Sequence, residues 1–173
     1  MNIQNLKKIL HSRFGGILLL YLVFIAISLV SRTVLMSMSF KDVSLNPLNI
    51  IWSYGAGLIM DTVAYSYFMI PFVLFLMFVS DRIFNSTIHK RFAYVIYFIT
   101  FCILIFNGVS EFFFWDEFGV RYNFIAVDYL VYTTEVLGNI KESYPMPALI
   151  SGILIAGIVL IWVVVKMKLL DAS

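Results

Sequence analysis

Seven polar side chains in this sequence stand where charge is costly or where a phosphate could be held: Asp61, Glu111, Arg121, Tyr122, Asn123, Asp128 and Glu135. Asp61 closes the string Gly57-Leu58-Ile59-Met60-Asp61 at the edge of an apolar run. Ionisable groups at membrane depth usually face a bundle interior or a wet cavity. Asp61 therefore reads as a contact for a lipid headgroup or a neighbouring domain. It reads equally as a helix-start carboxylate favoured by the N-terminal dipole. Glu111 lies one turn before Trp115. It is a polar partner for Arg121 or a substrate headgroup, or an interfacial carboxylate reaching water, and the second reading is preferred. Arg121-Tyr122-Asn123 is a short polar cluster whose guanidinium fork suits a lipid phosphate. The slightly preferred role for Arg121 is a surface ion pair with Asp116 or Glu117, worth little, yet the cluster stays the best candidate for a lipid contact. Asp128 and Glu135 resemble a carboxylate pair but lie two helical turns apart, without a His or Cys beside them. Asn107 reads as an interhelical hydrogen-bond residue. The sequence offers no metal constellation, no phosphate-cradling Gly-rich loop and no Ser/His/Asp set. No residue is assigned a catalytic role, and no cofactor is expected in this chain.

The elements that must position these groups are set by composition. Of 173 residues, 62% are hydrophobic and 13% charged, and the mean hydropathy is +0.96. Such a chain cannot cover its apolar surface in water. A net charge of +2 with no basic stripe gives no footprint for nucleic acid. The single cysteine, Cys102, makes no intrachain disulfide and reads as a small lipid-facing or packing residue.

A hydrocarbon core of about 30 Å needs roughly 20 apolar residues as a helix. Four stretches qualify: about 14–31, 62–80, 92–115 and 147–165. The first is too long for a signal h-region and lacks a small-residue cleavage site, so it reads as a retained span. With the N-terminus in the cytoplasm, Lys7, Lys8, Arg13, Arg82, Lys90, Arg91, Lys166 and Lys168 fall inside. Only Arg32, Lys41, Arg121 and Lys141 fall outside. Eight basic residues against four place both termini in the cytoplasm. On this threading His11 and His89 are cytoplasmic and cannot join an outer site.

Two outer segments exceed simple turns. Residues 46–60 precede the second span without a charge and are expected to lie along the outer surface, with a kink near Gly55–Gly57. A second kink is expected at Pro71. Residues 122–140 read as an interfacial amphipathic helix, with Asp128, Glu135, Asn139 and Glu142 on one stripe. The expected fold class is all-α: a polytopic membrane bundle of four spans plus outer interfacial helices, in one membrane domain over 1–173.

The string Glu111 to Pro145, and most specifically Arg121-Tyr122-Asn123-Phe124-Ile125-Ala126-Val127-Asp128-Tyr129-Leu130-Val131-Tyr132, resembles the membrane region of bacterial lipoteichoic acid synthase-like and phosphoglycerol transferase-like proteins. These form a sulfatase branch of the alkaline phosphatase superfamily. Gly57 to Asp61 is similar to a Gly-Leu-Arg-Phe-Asp pattern there, with Ile59 and Met60 departing from it. The resemblance implies a bacterial plasma membrane location. It also implies a fifth span and a large extracytoplasmic catalytic domain, with its nucleophile and divalent metal; none of those positions exists here. The chain is then expected to be a fragment that anchors such an enzyme and faces membrane phospholipid beneath the missing domain. Whether the parent is a transferase or a sulfatase stays open. The alternative is a free-standing small membrane protein, a transporter or assembly subunit, although the apolar span centres offer no conduction path.

Overall fold

The computed structural model describes residues 12–39, 46–123 and 144–166, together with Val127, Gly138, Lys141 and Glu142. Among the described residues all regular structure is helical. The main elements are α1 (Gly15–Met38), α2 (Pro47–Phe78), the single turn α3 (Asp81–Phe84), α4 (Thr87–Phe118) and α5 (Met146–Lys166). Four of them, α1, α2, α4 and α5, are long and apolar enough to cross a membrane.

The helix ends follow local chemistry. The Asn46 side chain accepts the Leu48 N–H at 3.0 Å, and Pro47 fills the first helical position, where its missing donor costs nothing. The Ser86 hydroxyl accepts the His89 N–H at 3.2 Å and starts α4. Gly119, at φ 66°, ends it in the left-handed conformation, with its N–H on the Trp115 carbonyl at 2.8 Å.

Three spans are longer than the apolar runs suggested. α1 continues past Ser31 to Met38 and takes Arg32 into the helix. α4 starts at Thr87 and ends at Phe118. α2 is one helix from Pro47 to Phe78, so the break expected near Gly55–Gly57 is a correction. A glycine costs only about 1 kcal/mol in a helix interior. Contacts with α1 on either side of these glycines offset that cost: Tyr54 OH meets Thr33 Oγ1 at 2.9 Å, and Thr62 Oγ1 meets Tyr21 OH at 3.0 Å. Pro71 lies inside α2, which runs on past it. Each of the 32-residue helices is about 48 Å long at 1.5 Å per residue, more than the hydrocarbon core, so both must tilt or protrude. The interfacial helix expected over 122–140 lies mostly outside the described residues, as do Asp128 and Glu135.

α1 packs between α2 and α4, and α4 in turn packs against α5 and the short α3. The α1–α2 pair is antiparallel: Tyr65 donates to the Ile17 carbonyl near one end, and Thr33 meets Tyr54 near the other. The apolar core joins Leu20, Phe101 and Val164 from three helices, with Tyr65 and Met69 of α2 against it. Phe101 has no exposed surface. α2 buries no residue fully, and its outward Phe68, Phe72 and Phe78 need hydrocarbon around them. Cys102 packs against α5 at Gly157, where a Cβ would stand 2.6 Å from its sulfur.

Candidate functional site

The bundle has two ends, one at Ser80 and the other at Gly119. The charged residues of interest gather toward Gly119. Asp61 of α2 points at α1, where Arg32 Nη2 donates to its Oδ2 at 2.7 Å and Ser28 Oγ donates to the same oxygen at 2.5 Å. Ser28 and Arg32 are one turn apart on one face, so a single carboxylate can take both. Arg32 Nη1 also donates to the Ser53 carbonyl at 3.4 Å. Gly57 makes this possible: a Cβ there would lie 0.8 Å from Arg32 Nη1. The guanidinium lies across the helix backbone in the space a side chain would fill. The side chains of Arg32 and Asp61 keep only 11% and 18% of their surface exposed. Such a pair is specific in geometry, and losing one partner strands a buried charge.

The second pair comes from the end of α4. The left-handed turn at Gly119 reverses the chain, so Arg121 and Tyr122 fold back along the last turns of the helix. Arg121 Nε donates to Glu111 Oε1 at 2.5 Å. The Tyr122 hydroxyl donates to Ser110 Oγ at 2.5 Å, and its ring lies 5.0 Å from that of Phe114. Burial pushes the Tyr122 hydroxyl above its ordinary range; the Ser110 hydrogen bond pulls it back in part, and the Glu111 charge raises it further. It stays protonated and acts as a donor.

Glu111 is 6% exposed. It therefore does not stand free at the interface; Arg121 holds it at the cavity wall. That corrects the preferred reading of Glu111 and also the expected pairing of Arg121 with Asp116 or Glu117. Both acids sit on the last turn of α4, whereas the reversal at Gly119 carries Arg121 back beside Glu111, ten residues earlier.

The two pairs border one cavity of about 360 Å³ between α1, α2 and α4. Ser28, Ser31, Asp61, Asn107, Glu111, Arg121 and Tyr122 supply its polar wall, and Phe24, Ile27 and Leu104 its apolar part. Asn107 thus presents to a cavity wall. On the other side of the α1–α4 seam lies an almost wholly apolar groove of about 450 Å³, and Ile27, Ser31 and Gly108 belong to both. The seam is tight: a Cβ on Gly108 would stand 3.1 Å from Ile27 Cγ2.

Four of the seven residues singled out from sequence, Asp61, Glu111, Arg121 and Tyr122, meet on this cavity. Asn123 is exposed just beyond it. Sequence reasoning missed Arg32 and Ser28 as site residues. Their signal was the four-residue spacing facing an acid on the next span. His89 lies at the opposite end, stacked on Phe75 at 6.0 Å and near Phe84 at 5.2 Å. Among the described residues no three His, Cys, Asp or Glu side chains come together.

Four apolar helices crossed by two arginine–carboxylate pairs define an all-α, multipass membrane protein with a polar cavity inside one end of its bundle. The chain matches no protein-family model, no curated protein and no solved structure with which it was compared.

Proposed function

We propose that this chain is the membrane-anchoring, lipid-facing part of a phosphoglycerol transferase-like or sulfatase-like enzyme of the bacterial plasma membrane, and that its polar cavity receives a phospholipid headgroup from the extracytoplasmic leaflet. One observation carries the headgroup reading. Among the described residues Arg121 bonds Glu111 through Nε, which leaves its Nη1–Nη2 edge for another acceptor beside the cavity. A guanidinium edge offers two parallel donors matched to phosphate oxygens. The surrounding bundle is apolar, so a lipid can bring its headgroup there with its chains still in hydrocarbon. The likeness of Arg121 to Tyr132 to the membrane regions of lipoteichoic acid synthase-like proteins supports the enzyme class. In this reading the chain supplies anchorage and a lipid surface, and the chemistry belongs to an extracytoplasmic domain.

The test is lipid retention by the purified chain, measured by native mass spectrometry from a mixture of phosphatidylglycerol and phosphatidylethanolamine. Arg121→Ala should lose several-fold of the bound phospholipid. Arg121→Lys, which keeps the charge and loses the fork, should recover only part of it. Retention unchanged in both variants would refute the headgroup role and return Arg121 to a structural one.

A further inference from the structure

We infer that the cavity selects a zwitterionic headgroup, a phosphate ester carrying a primary ammonium; this rests on the headgroup reading above and concerns a lipid held by the bundle, not the donor that the enzyme consumes. Two carboxylates, Asp61 and Glu111, stand in the cavity wall against one guanidinium, Arg121. Arg32 neutralises Asp61 from behind, through Oδ2, and is not itself part of the wall. A ligand that is only anionic therefore meets two like charges for each arginine it can reach. Both carboxylates are largely covered by the helices, so water screens that repulsion only in part.

The free valences point the same way. Ser28 and Arg32 both bond Asp61 through Oδ2, and Arg121 bonds Glu111 through Oε1. Among the described residues those bonds leave Asp61 Oδ1 and Glu111 Oε2 as acceptors, and a carboxylate has about four lone-pair sites. A primary ammonium brings three donors, enough for both oxygens. Its phosphate can then lie on the Nη edge of Arg121. The Tyr122 ring, held against Phe114, adds an aromatic wall that a cation tolerates well. A trimethylated ammonium has no N–H to donate, so a choline headgroup forfeits the carboxylate bonds.

The experiment compares dioleoyl lipids bearing ethanolamine, glycerol and choline headgroups, each offered to the purified full chain in a neutral detergent, with free O-phosphoethanolamine as a fourth ligand. The ethanolamine lipid should be retained about tenfold better than the glycerol and choline lipids, the scale of one charge-assisted hydrogen bond. Glu111→Gln, which keeps the shape and can still accept from Arg121, should collapse that ratio toward one. Asp61→Asn is the second variant, and a thermal melt of each shows that it folds. Glycerol lipid bound as well as ethanolamine lipid, still dependent on Arg121, overturns the selectivity and leaves the headgroup reading standing. Loss of Arg121 dependence for every lipid overturns both. Soluble phosphoethanolamine bound as tightly as the lipid overturns the lipid as its source.

Discussion

Toward Ser80, the helices meet through Leu20, Tyr65, Phe101 and Val164, which fill one another's gaps and leave Phe101 wholly covered. Toward Gly119, α1, α2 and α4 meet instead through Ser28, Asp61, Glu111 and Arg32, around a cavity. Each end also holds one arginine, Arg13 just before α1 or Arg32 within it, against an aspartate beyond or within α2. At the Ser80 end Arg13 donates from Nη1 to Asp81 Oδ1 at 3.2 Å and from Nη2 to the Val79 carbonyl, and its Cζ lies 5.1 Å over the Phe84 ring. Asp81 is 88% exposed, so water already solvates it. At the Gly119 end Arg32 and Asp61 are both largely covered. The same residue pair thus closes a loop at the waterline in one place and builds a site wall in the other. What differs is desolvation: it makes the inner pair costly to break and makes its geometry specific.

The sharpest way to break that contrast is Arg32→Ala, which strands Asp61. It should destabilise the detergent-solubilised chain by about 3–5 kcal/mol, measured by denaturant or thermal unfolding. Gly57→Ala should come close to the same loss without touching a charge, because its Cβ occupies the guanidinium position. Combined, the two substitutions should cost little more than either alone, since both remove one interaction. Additive costs would separate Gly57 from Arg32. A smaller effect is expected at the tight α4–α5 crossing. Gly157→Ala forces its Cβ against Cys102 Sγ and should cost about 1–3 kcal/mol, recovered by adding Cys102→Ala. Smallest is Asp81→Asn, at the exposed pair, for which less than about 1 kcal/mol is expected.

Alkaline titration sharpens the site end alone. Since the folded state holds the Tyr122 proton above its ordinary value of 10.0, its contribution is complete below that pH and is lost as pH rises through the raised value. Tyr122→Phe should remove that part of the alkaline decline in thermal stability. An unchanged alkaline profile would show that Tyr122 is freely solvated.

The four spans were legible because long apolar runs leave the backbone no alternative in hydrocarbon. α5 came within one residue at each end of the run 147–165. The ends of the other three were less legible, since caps and turns rather than hydropathy decide them. Asn46-Pro47 starts α2 well before its apolar stretch is densest, and Gly119 ends α4 three residues past Trp115. Asp61 and Glu111 stand out as acids at membrane depth. Arg32 does not, because the uncharged run ends at Ser31 and hydropathy alone puts the arginine beyond the span. In sequence Gly57 reads as a hinge, because a glycine alone does not say whether it serves bending or close approach. Only the neighbour across the helix interface distinguishes the two.

The proposed function requires a water-accessible polar cavity in one end of the bundle, open to the cell exterior. Its most direct test is cysteine labelling in intact cells, with Ser31→Cys placed in a Cys102→Ala background and a membrane-impermeant maleimide added outside. Ser31 lines the cavity, so the account predicts rapid labelling there and none for Leu20→Cys in the dry core. Labelling of Ser31→Cys only after permeabilisation, or of Leu20→Cys as readily as Ser31→Cys, would contradict it.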